Sequence, residues 1–301
     1  MQEGRQSRFH LFPGGVQCDY PLREQPHQLL SFGRGSPKMP SAFAYLTSEV
    51  DWCEGNFEHS EVIAEYYNTI SSVSFFLLFP ILLYLNHQYV QQRPLSAYSL
   101  SIMFLLIGIF SIYYHLTLSY VGQLLDELSI LWTLALTYTV WIPKCYFPGF
   151  IKDRTQFVCL VGIATVVCTL MSFIKPTFNA YLLNSISLHL LYLTCQELKK
   201  CSNPRVHRIA AFMVMWWVLA ISCWLSDKWF CGFWQRINFC YLHSFWHVLI
   251  SIAILYCCPL FIYFDSRYEI PAFEPELEYW PSDSWPIALP YLALRTPYKR
   301  C

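Results

Sequence analysis

The sequence predicts an all-α, polytopic integral membrane protein built as a bundle of seven transmembrane helices. Hydrophobic residues make up 55% of the chain and charged residues only 13%, whereas an ordinary soluble domain carries about 25% charged residues. Aromatic residues reach 18%, a content typical of the belts at membrane interfaces. Seven separate runs in this chain approach the roughly 20 apolar residues that a spanning helix needs.

The seven predicted spans are joined by short connections, so we expect one bundle rather than several domains. The third span begins with Asp126 and Glu127 in its first turns. The fifth span is the weakest, because Asn179, Asn184 and His189 interrupt its apolar character. In chain order, the predicted spans are residues 67–86, 95–115, 122–142, 155–174, 177–196, 208–227 and 239–264.

Composition divides the chain into three predicted regions. Residues 1–38 are polar and lack the apolar core of a signal peptide, so we expect a disordered N-terminal extension. Residues 39–264 are predicted to form the seven-helix domain, preceded by an acidic segment. Residues 265–301, which contain several prolines with acids between them, are predicted to be an extended C-terminal tail.

The distribution of Lys and Arg predicts the orientation, because short cytosolic loops carry an excess of these residues. The first, third and fifth loops hold most of the loop cations. The second, fourth and sixth loops hold only Lys175, Lys228 and Arg236. We therefore expect a lumenal N-terminus and a cytosolic C-terminus.

Two histidines one helical turn apart, His243 and His247, begin the last apolar run. An ionisable side chain at the bilayer centre costs about 2.5–3.5 kcal/mol on insertion scales, so such residues indicate function by default. Their spacing places both rings on one helix face, where they can bind one metal ion. His115 ends the second span in the same predicted leaflet. Three imidazoles that leave a fourth position open are typical of a catalytic zinc site.

Two further polar residues are expected at the same depth. Asp126 could take a proton from zinc-activated water and pass it to a leaving group. Ser111 lies one turn before His115 and could support an oxyanion. A lone membrane histidine more often hydrogen-bonds a neighbouring helix, and we interpret His189 in this way. Whether Glu127 or His189 supports the site is left open.

The segment before the first span carries closely spaced oxygen ligands. Asp51, Glu54 and Asn56 lie within six residues of one another, Gly55 permits a turn, and Glu65 follows. Calcium takes six to eight oxygen ligands from such groups. The pattern is not that of an EF-hand, and an acidic run of this kind is more often simply solvated.

Several motifs together resemble the alkaline ceramidases, and within that family the pattern is closest to the type 1 branch. The resemblance covers about residues 39–301. The motifs that carry it are Tyr113-Tyr114-His115-Leu116-Thr117-Leu118, Gln123-Leu124-Leu125-Asp126-Glu127, His243-Ser244-Phe245-Trp246-His247, Asp51-Trp52-Cys53-Glu54 and Ala64-Glu65-Tyr66-Tyr67-Asn68-Thr69.

The resemblance implies an amide hydrolase of sphingolipid metabolism that cleaves ceramide to sphingosine and a free fatty acid. It implies catalytic Zn²⁺ on His115, His243 and His247, with Asp126 as acid and base and Ser111 at the oxyanion. It also implies structural Ca²⁺ on Asp51, Trp52 (through its carbonyl), Glu54, Asn56 and Glu65, and a disulfide between Cys53 and Cys231. The expected location is the endoplasmic reticulum membrane, ahead of the Golgi.

The three-histidine pattern by itself leaves other classes open. A seven-helix receptor with a structural zinc is the main alternative, although Asp126 and Ser111 would have no evident use in it. A channel or transporter would place polar residues along a whole path, whereas here they cluster at one depth. The net charge is zero, so no nucleic-acid partner is expected. Ceramide and the membrane are the expected partners, with no obligate protein partner.

Overall fold

The computed structural model describes residues 41–175, 177–285 and 288–296, and the predicted extension 1–38 lies outside this part of the chain. The described residues are mostly helical, with a helix at each of the seven predicted positions. The helices are α1 (Tyr66–Ser71), α2 (Val73–Leu85), α3 (His87–Gln92), α4 (Pro94–Thr117), α5 (Tyr120–Trp141), α6 (Arg154–Ile174), α7 (Thr177–Lys199), α8 (Pro204–Arg236) and α9 (Leu242–Glu269).

Among the described residues, five helices are long and apolar enough to cross a membrane. They are Tyr66–Leu85, which joins α1 and α2, together with α4, α6, α8 and α9. The remaining two predicted spans form α5 and α7, of 22 and 23 residues. Both carry polar residues in their first turns, such as Asp126 and Asn179, which lower their hydropathy. The chain is therefore a multi-pass membrane protein, and the predicted count of seven spans is not confirmed.

A tight turn joins α4 to α5 and brings two predicted site residues to one end of the bundle. Leu118 ends α4 in the left-handed region, with φ of 47°. Ser119 then caps α5 by accepting a hydrogen bond from the Gly122 N–H. His115 lies just before this turn and Asp126 just after it. We call this end, at which α4 stops and α5 and α9 start, the site end.

The acidic segment, residues 41–65, lies against this turn. The last carbonyls of a helix have no partner within the helix. Here the N–H of Ala64 donates to the Leu116 carbonyl at 3.0 Å, and the N–H of Glu65 donates to the His115 carbonyl at 2.9 Å. The backbone thus places Glu65 directly beside His115.

The tail departs from the all-α prediction. Strands β1 (Glu274–Trp280) and β2 (Leu289–Arg295) pair as an antiparallel hairpin. Leu277 and Leu292 are buried in the main apolar core, which also joins α2, α4, α8 and α9. The Leu292 N–H donates to the Asn86 side chain at 3.0 Å. A two-stranded hairpin is marginal in isolation, so its stability depends on this packing against the bundle.

Candidate metal centre and active site

Three histidines from two helices converge at the site end. His115 comes from the last turn of α4, and His243 and His247 come from the first turns of α9. Their ring centroids are 4.8 to 5.1 Å apart. One ring nitrogen of each lies within 4.8 Å of the others, and all three side chains are buried. This spacing allows all three rings to bind one metal ion.

Hydrogen bonds to Nδ1 orient two of these rings. The carboxylate of Glu65 accepts from Nδ1 of His115 at 2.5 Å. Ser71 Oγ lies 2.7 Å from Nδ1 of His247 and donates its own proton to the Asn68 carbonyl. His247 must therefore be the donor to Ser71. Both rings then carry hydrogen on Nδ1 and present a lone pair on Nε2, as metal ligands require.

The remaining ring nitrogens fit a metal. His115 Nε2, His247 Nε2 and His243 Nδ1 are buried and have no hydrogen-bond partner among the described residues. Buried polar atoms are rarely left unpaired. Neutral imidazoles of this number and spacing are the donor set that zinc takes in catalytic sites. The residues present therefore fit a zinc ion.

Aromatic rings hold His243. The indole of Trp52 stacks on it with a centroid distance of 3.7 Å and an interplanar angle of 19°. Trp246, one turn along α9, also stacks on it, at 5.1 Å and 26°. Trp52 belongs to the acidic segment, so this segment contacts the histidine cluster through a ring as well as through Glu65.

Ser111 and Asp126 meet across the α4–α5 turn. The Ser111 side chain hydrogen-bonds the Asp126 carboxylate, and its Oγ lies 2.9 Å from Ser72 Oγ. Ser72 also donates to the Asn68 carbonyl at 2.8 Å. Ser111 is fully buried and one turn from His115. The predicted hydroxyl and carboxylate thus contact each other, with the hydroxyl one helical turn from His115.

The acidic segment gathers its oxygens around the start of α1. Glu54 accepts from the backbone N–H groups of Tyr67 and Asn68 at 2.6 and 2.9 Å, which caps the helix. Asn56 Nδ2 donates to both oxygens of Asp51, at 3.1 and 3.3 Å. Asn56 Oδ1 is buried and has no partner among the described residues. An orphaned oxygen beside several carboxylates fits a calcium ion.

Within the described ranges, no Lys or Arg forms an ion pair with Asp51, Glu54 or Glu65. Burial raises the pKa of Asp51 to about 6, and the nearby Glu65 carboxylate adds to the shift. Burial likewise raises the pKa of Glu54 to about 7. In the part of the chain that the structure describes, Asp51, Glu54 and Glu65 do not form a second three-ligand cluster like that of the histidines. A calcium site here would depend on Asn56 and on backbone oxygens as well.

A disulfide joins Cys53 of the acidic segment to Cys231 near the end of α8, the pairing that the resemblance implies. The Cys53 N–H also donates to the carboxylate of the buried Asp227 at 3.0 Å. Asp227 accepts a second hydrogen bond from the backbone of His243. The disulfide and this carboxylate together hold the acidic segment near the start of α9.

The sequence left the roles of His189 and Glu127 open, and the two residues have different surroundings. His189 lies outside the site and bonds the Tyr138 hydroxyl at 2.5 Å, which confirms its interpretation as a helix–helix contact. Glu127 follows Asp126 on α5 and accepts from Gln123 Nε2 at 3.0 Å.

Sequence reasoning missed several residues that orient the site. Ser71, Asn68 and Asp227 were not singled out. Asp227 had a recognisable signal, since it is a carboxylate at the end of an apolar span. Ser71 and Asn68 had none, because serines and asparagines are common at helix starts.

The fold and this site define a class: a multi-pass membrane protein with a buried three-histidine metal-type centre and an adjacent hydroxyl–carboxylate pair. Comparison with known proteins gives the family. The Ceramidase family model matches residues 44–293. The chain is 51% identical to human alkaline ceramidase 1 over 264 residues, which cover 87% of this chain and 100% of that protein.

Other relatives agree. Mouse alkaline ceramidase 1 is 51% identical over 265 residues, covering 88% of this chain and 97% of that protein. The alkaline ceramidase of Drosophila melanogaster is 39% identical over 254 residues, covering 84% of this chain and 90% of its own length. This chain belongs to the ceramidase family, whose members are amide hydrolases.

Proposed function

We propose that this protein hydrolyses the amide bond of ceramide to sphingosine and a free fatty acid, with zinc held by His115, His243 and His247. The observation that carries the proposal is the cluster of three orphaned imidazole nitrogens beside Ser111 and Asp126. The family supplies the substrate, since the relatives are named alkaline ceramidases. A structural zinc alone would not need the hydroxyl and the carboxylate.

When bound, zinc supplies Lewis acidity for the amide carbonyl and for water. The residues of the chain do the rest. Asp126 takes the proton of the attacking water and delivers it to the amine nitrogen of the departing sphingosine. Ser111 donates to the carbonyl oxygen as negative charge develops there. Glu65 and Ser71 hold His115 and His247 in the required tautomers.

Ceramide has two hydrocarbon chains, so we infer that it enters from the bilayer between helices. Support comes from the position of His115 and His247, which belong to α4 and α9, two helices long and apolar enough to cross a membrane. A single-depth cluster of polar groups suits a substrate whose polar atoms are confined to its head.

Calcium is proposed to bind Asp51, the Trp52 carbonyl, Glu54, Asn56 and Glu65. Support comes from the orphaned Asn56 oxygen and from the unbalanced carboxylates of the acidic segment. Glu65 accepts from His115, and the Trp52 ring stacks on His243. Calcium would therefore act on the geometry of the zinc ligands rather than on the chemistry.

The remaining assignments are also proposals. We place the protein in the endoplasmic reticulum membrane with its N-terminus and site end lumenal and residues 265–301 cytosolic. The charge distribution of the loops and the type 1 relatives support this location. The polar extension, residues 1–38, is assigned no role in the site.

The testing experiment measures metal content and ceramide turnover on one purified sample of the full chain, with and without calcium and a zinc chelator. We expect about one zinc per chain, as a single three-histidine site implies, and hydrolysis that is lost on chelation. His247→Ala should lose both, whereas His189→Ala is the matched control because the contacts of His189, with Tyr138 and Tyr192, lie outside the histidine cluster. Asn56→Ala should weaken the calcium response and leave the zinc content intact. Zinc without cleavage of any ceramide would instead favour a receptor.

A further inference from the structure

One buried amide near the site makes no hydrogen bond of standard geometry within the described part of the chain. Asn179 lies in the first turn of α7 and its side chain is fully buried, at 0% exposure. Neither its Oδ1 nor its Nδ2 has a hydrogen-bond partner at standard length and angle among the described residues. Leaving such groups unpaired is expensive, more so in a bilayer where no water competes. Because this desolvation cost is not offset by a well-formed hydrogen bond to the residues that the structure describes, we expect the Asn179 side chain to bind a ligand.

The neighbours of Asn179 on α5 are polar, and some of their hydrogen-bonding capacity is unused. The Asn179 amide lies within hydrogen-bonding reach of the Glu127 carboxylate, although the two do not form a hydrogen bond of standard length and angle. Glu127 also accepts from Gln123 Nε2 at 3.0 Å. The Oε1 of Gln123 in turn accepts from two backbone N–H groups of the acidic segment, at 2.8 and 3.2 Å. Gln123 is therefore held in place, while Glu127 and Asn179 keep hydrogen-bonding capacity toward a third group.

This polar pair lies at the depth of the reaction. Glu127 follows Asp126 on α5, and the two carboxylates are close enough to interact electrostatically. α5 and α7 both start at the site end, where leucines of the two helices pack below the pair. A group bound by Asn179 and Glu127 would therefore belong to the same molecule whose amide meets Asp126.

We propose that Asn179 and Glu127 bind the hydroxyl groups of the sphingoid head of ceramide. Those hydroxyls sit on the carbons that flank the amide-bearing carbon, so their partners must lie next to the group that acts on the amide. A hydroxyl both donates and accepts. The amide offers one donor and one acceptor group, and the carboxylate offers a further acceptor. The inference rests on the proposed function, since it assigns the hydroxyl subsite of that same site.

The experiment compares two substrates across variants of the full chain in detergent. One substrate is ceramide, and the other is an analogue in which hydrogen replaces both head hydroxyls. The wild type should prefer ceramide in kcat/KM by at least about tenfold, since sites built to bind a hydroxyl reject its absence. Asn179→Leu should lower kcat/KM for ceramide but not for the analogue, so the preference collapses toward one. Glu127→Gln should also reduce the preference for ceramide over the analogue.

Asn184→Ala is the matched control, because Asn184 lies on the same helix but is exposed and bonds only the Ala180 carbonyl. It should keep the preference. The folding of each variant is assessed separately, by its thermal unfolding. Replacing a buried amide that lacks a standard hydrogen bond by an apolar side chain of similar size should leave the melting temperature unchanged or raise it. A structural asparagine would instead lower it.

Two results would overturn the inference: a wild type that cleaves both substrates equally, or an Asn179→Leu variant that loses activity equally on both. A wild type that cleaves neither substrate would instead refute the proposed function.

Discussion

At the scale of single residues, the site depends on which nitrogen and oxygen atoms are already used. His115 and His247 each use Nδ1 in a hydrogen bond to Glu65 or Ser71, which leaves Nε2 for a metal. Ser111 touches Asp126 and Ser72 and has one proton to give. The residues that perform chemistry are therefore separable from those that orient them.

Asp126→Asn tests the separation between proton transfer and metal binding. An amide cannot take or deliver the proton, so ceramide turnover should fall by roughly 10²–10⁴-fold. Zinc content should stay near that of the wild type, because Asp126 is not one of the three clustered ligands. Turnover and metal analysis on the same purified variant measure both quantities.

The matched control is Asp283→Asn, since Asp283 is exposed and pairs with Arg205 at the other end of the bundle. It should keep normal turnover. If Asp126→Asn hydrolysed ceramide at the wild-type rate, another base would have to be sought.

Residue patterns predicted the three histidines that the structure brings together, but not the residues that orient them. His243 and His247 are recognisable by spacing, and His115 and Asp126 by their shared leaflet. The stacking of Trp52 on His243 and the bond from His247 to Ser71 depend on how separate segments pack. A local pattern of polar and apolar residues carries no information on such contacts.

At the scale of elements, the acidic segment packs over the site end. It satisfies the last carbonyls of α4 and caps α1 through Glu54. It is fixed to α8 by the disulfide between Cys53 and Cys231. The segment has little regular structure of its own, so these attachments determine its position.

Replacing Cys53 and Cys231 by serine should destabilise the protein by roughly 2–4 kcal/mol, because the cross-link closes a long loop. The sequence separation is 178 residues. We expect a lower melting temperature and a weaker calcium response, measured by thermal unfolding and by turnover with and without calcium. A reductant should lower the melting temperature of the wild type but not that of the double variant.

Cys240→Ser serves as the control, since Cys240 is a free cysteine in the connection between α8 and α9. It should unfold at the wild-type temperature. Identical unfolding of the double variant and the wild type would show that hydrogen bonds alone hold the segment.

The prediction of elements succeeded where apolar runs were long, and it failed where tertiary packing determines the local structure. The helices at the seven predicted positions follow from apolar runs, yet α5 and α7 are too polar to count as spans by composition. The hairpin of β1 and β2 was missed because proline and acidic residues in the tail suggest extended chain. Its register depends on Asn86 and on burial of Leu277, which lie far apart in sequence.

At the scale of the whole molecule, the two ends of the bundle differ in their polar chemistry. The site end holds the histidine cluster, several carboxylates and the disulfide. At the other end, Arg93 pairs with Asp265, and Arg154 pairs with Glu269 of α9 at 2.9 Å. The loop arginines that predict a cytosolic side thus also fasten helices together. A disulfide persists in an oxidising compartment, so both features support the lumenal orientation that we propose for the site end.

This orientation can be tested with glycosylation acceptors, which are modified only in the lumen. An Asn-Gly-Thr acceptor added before residue 1 should be glycosylated, whereas the same acceptor added after residue 301 should not. The measurement is the gel mobility of each protein before and after endoglycosidase treatment. The natural sequence contains no Asn-x-Ser/Thr acceptor to confuse the result. Both tagged proteins must still hydrolyse ceramide, which shows that the modified molecules are the active ones. Glycosylation of the C-terminal acceptor alone would place the three clustered histidines in the cytosolic leaflet. That result would contradict the orientation proposed from the loop charges and the disulfide.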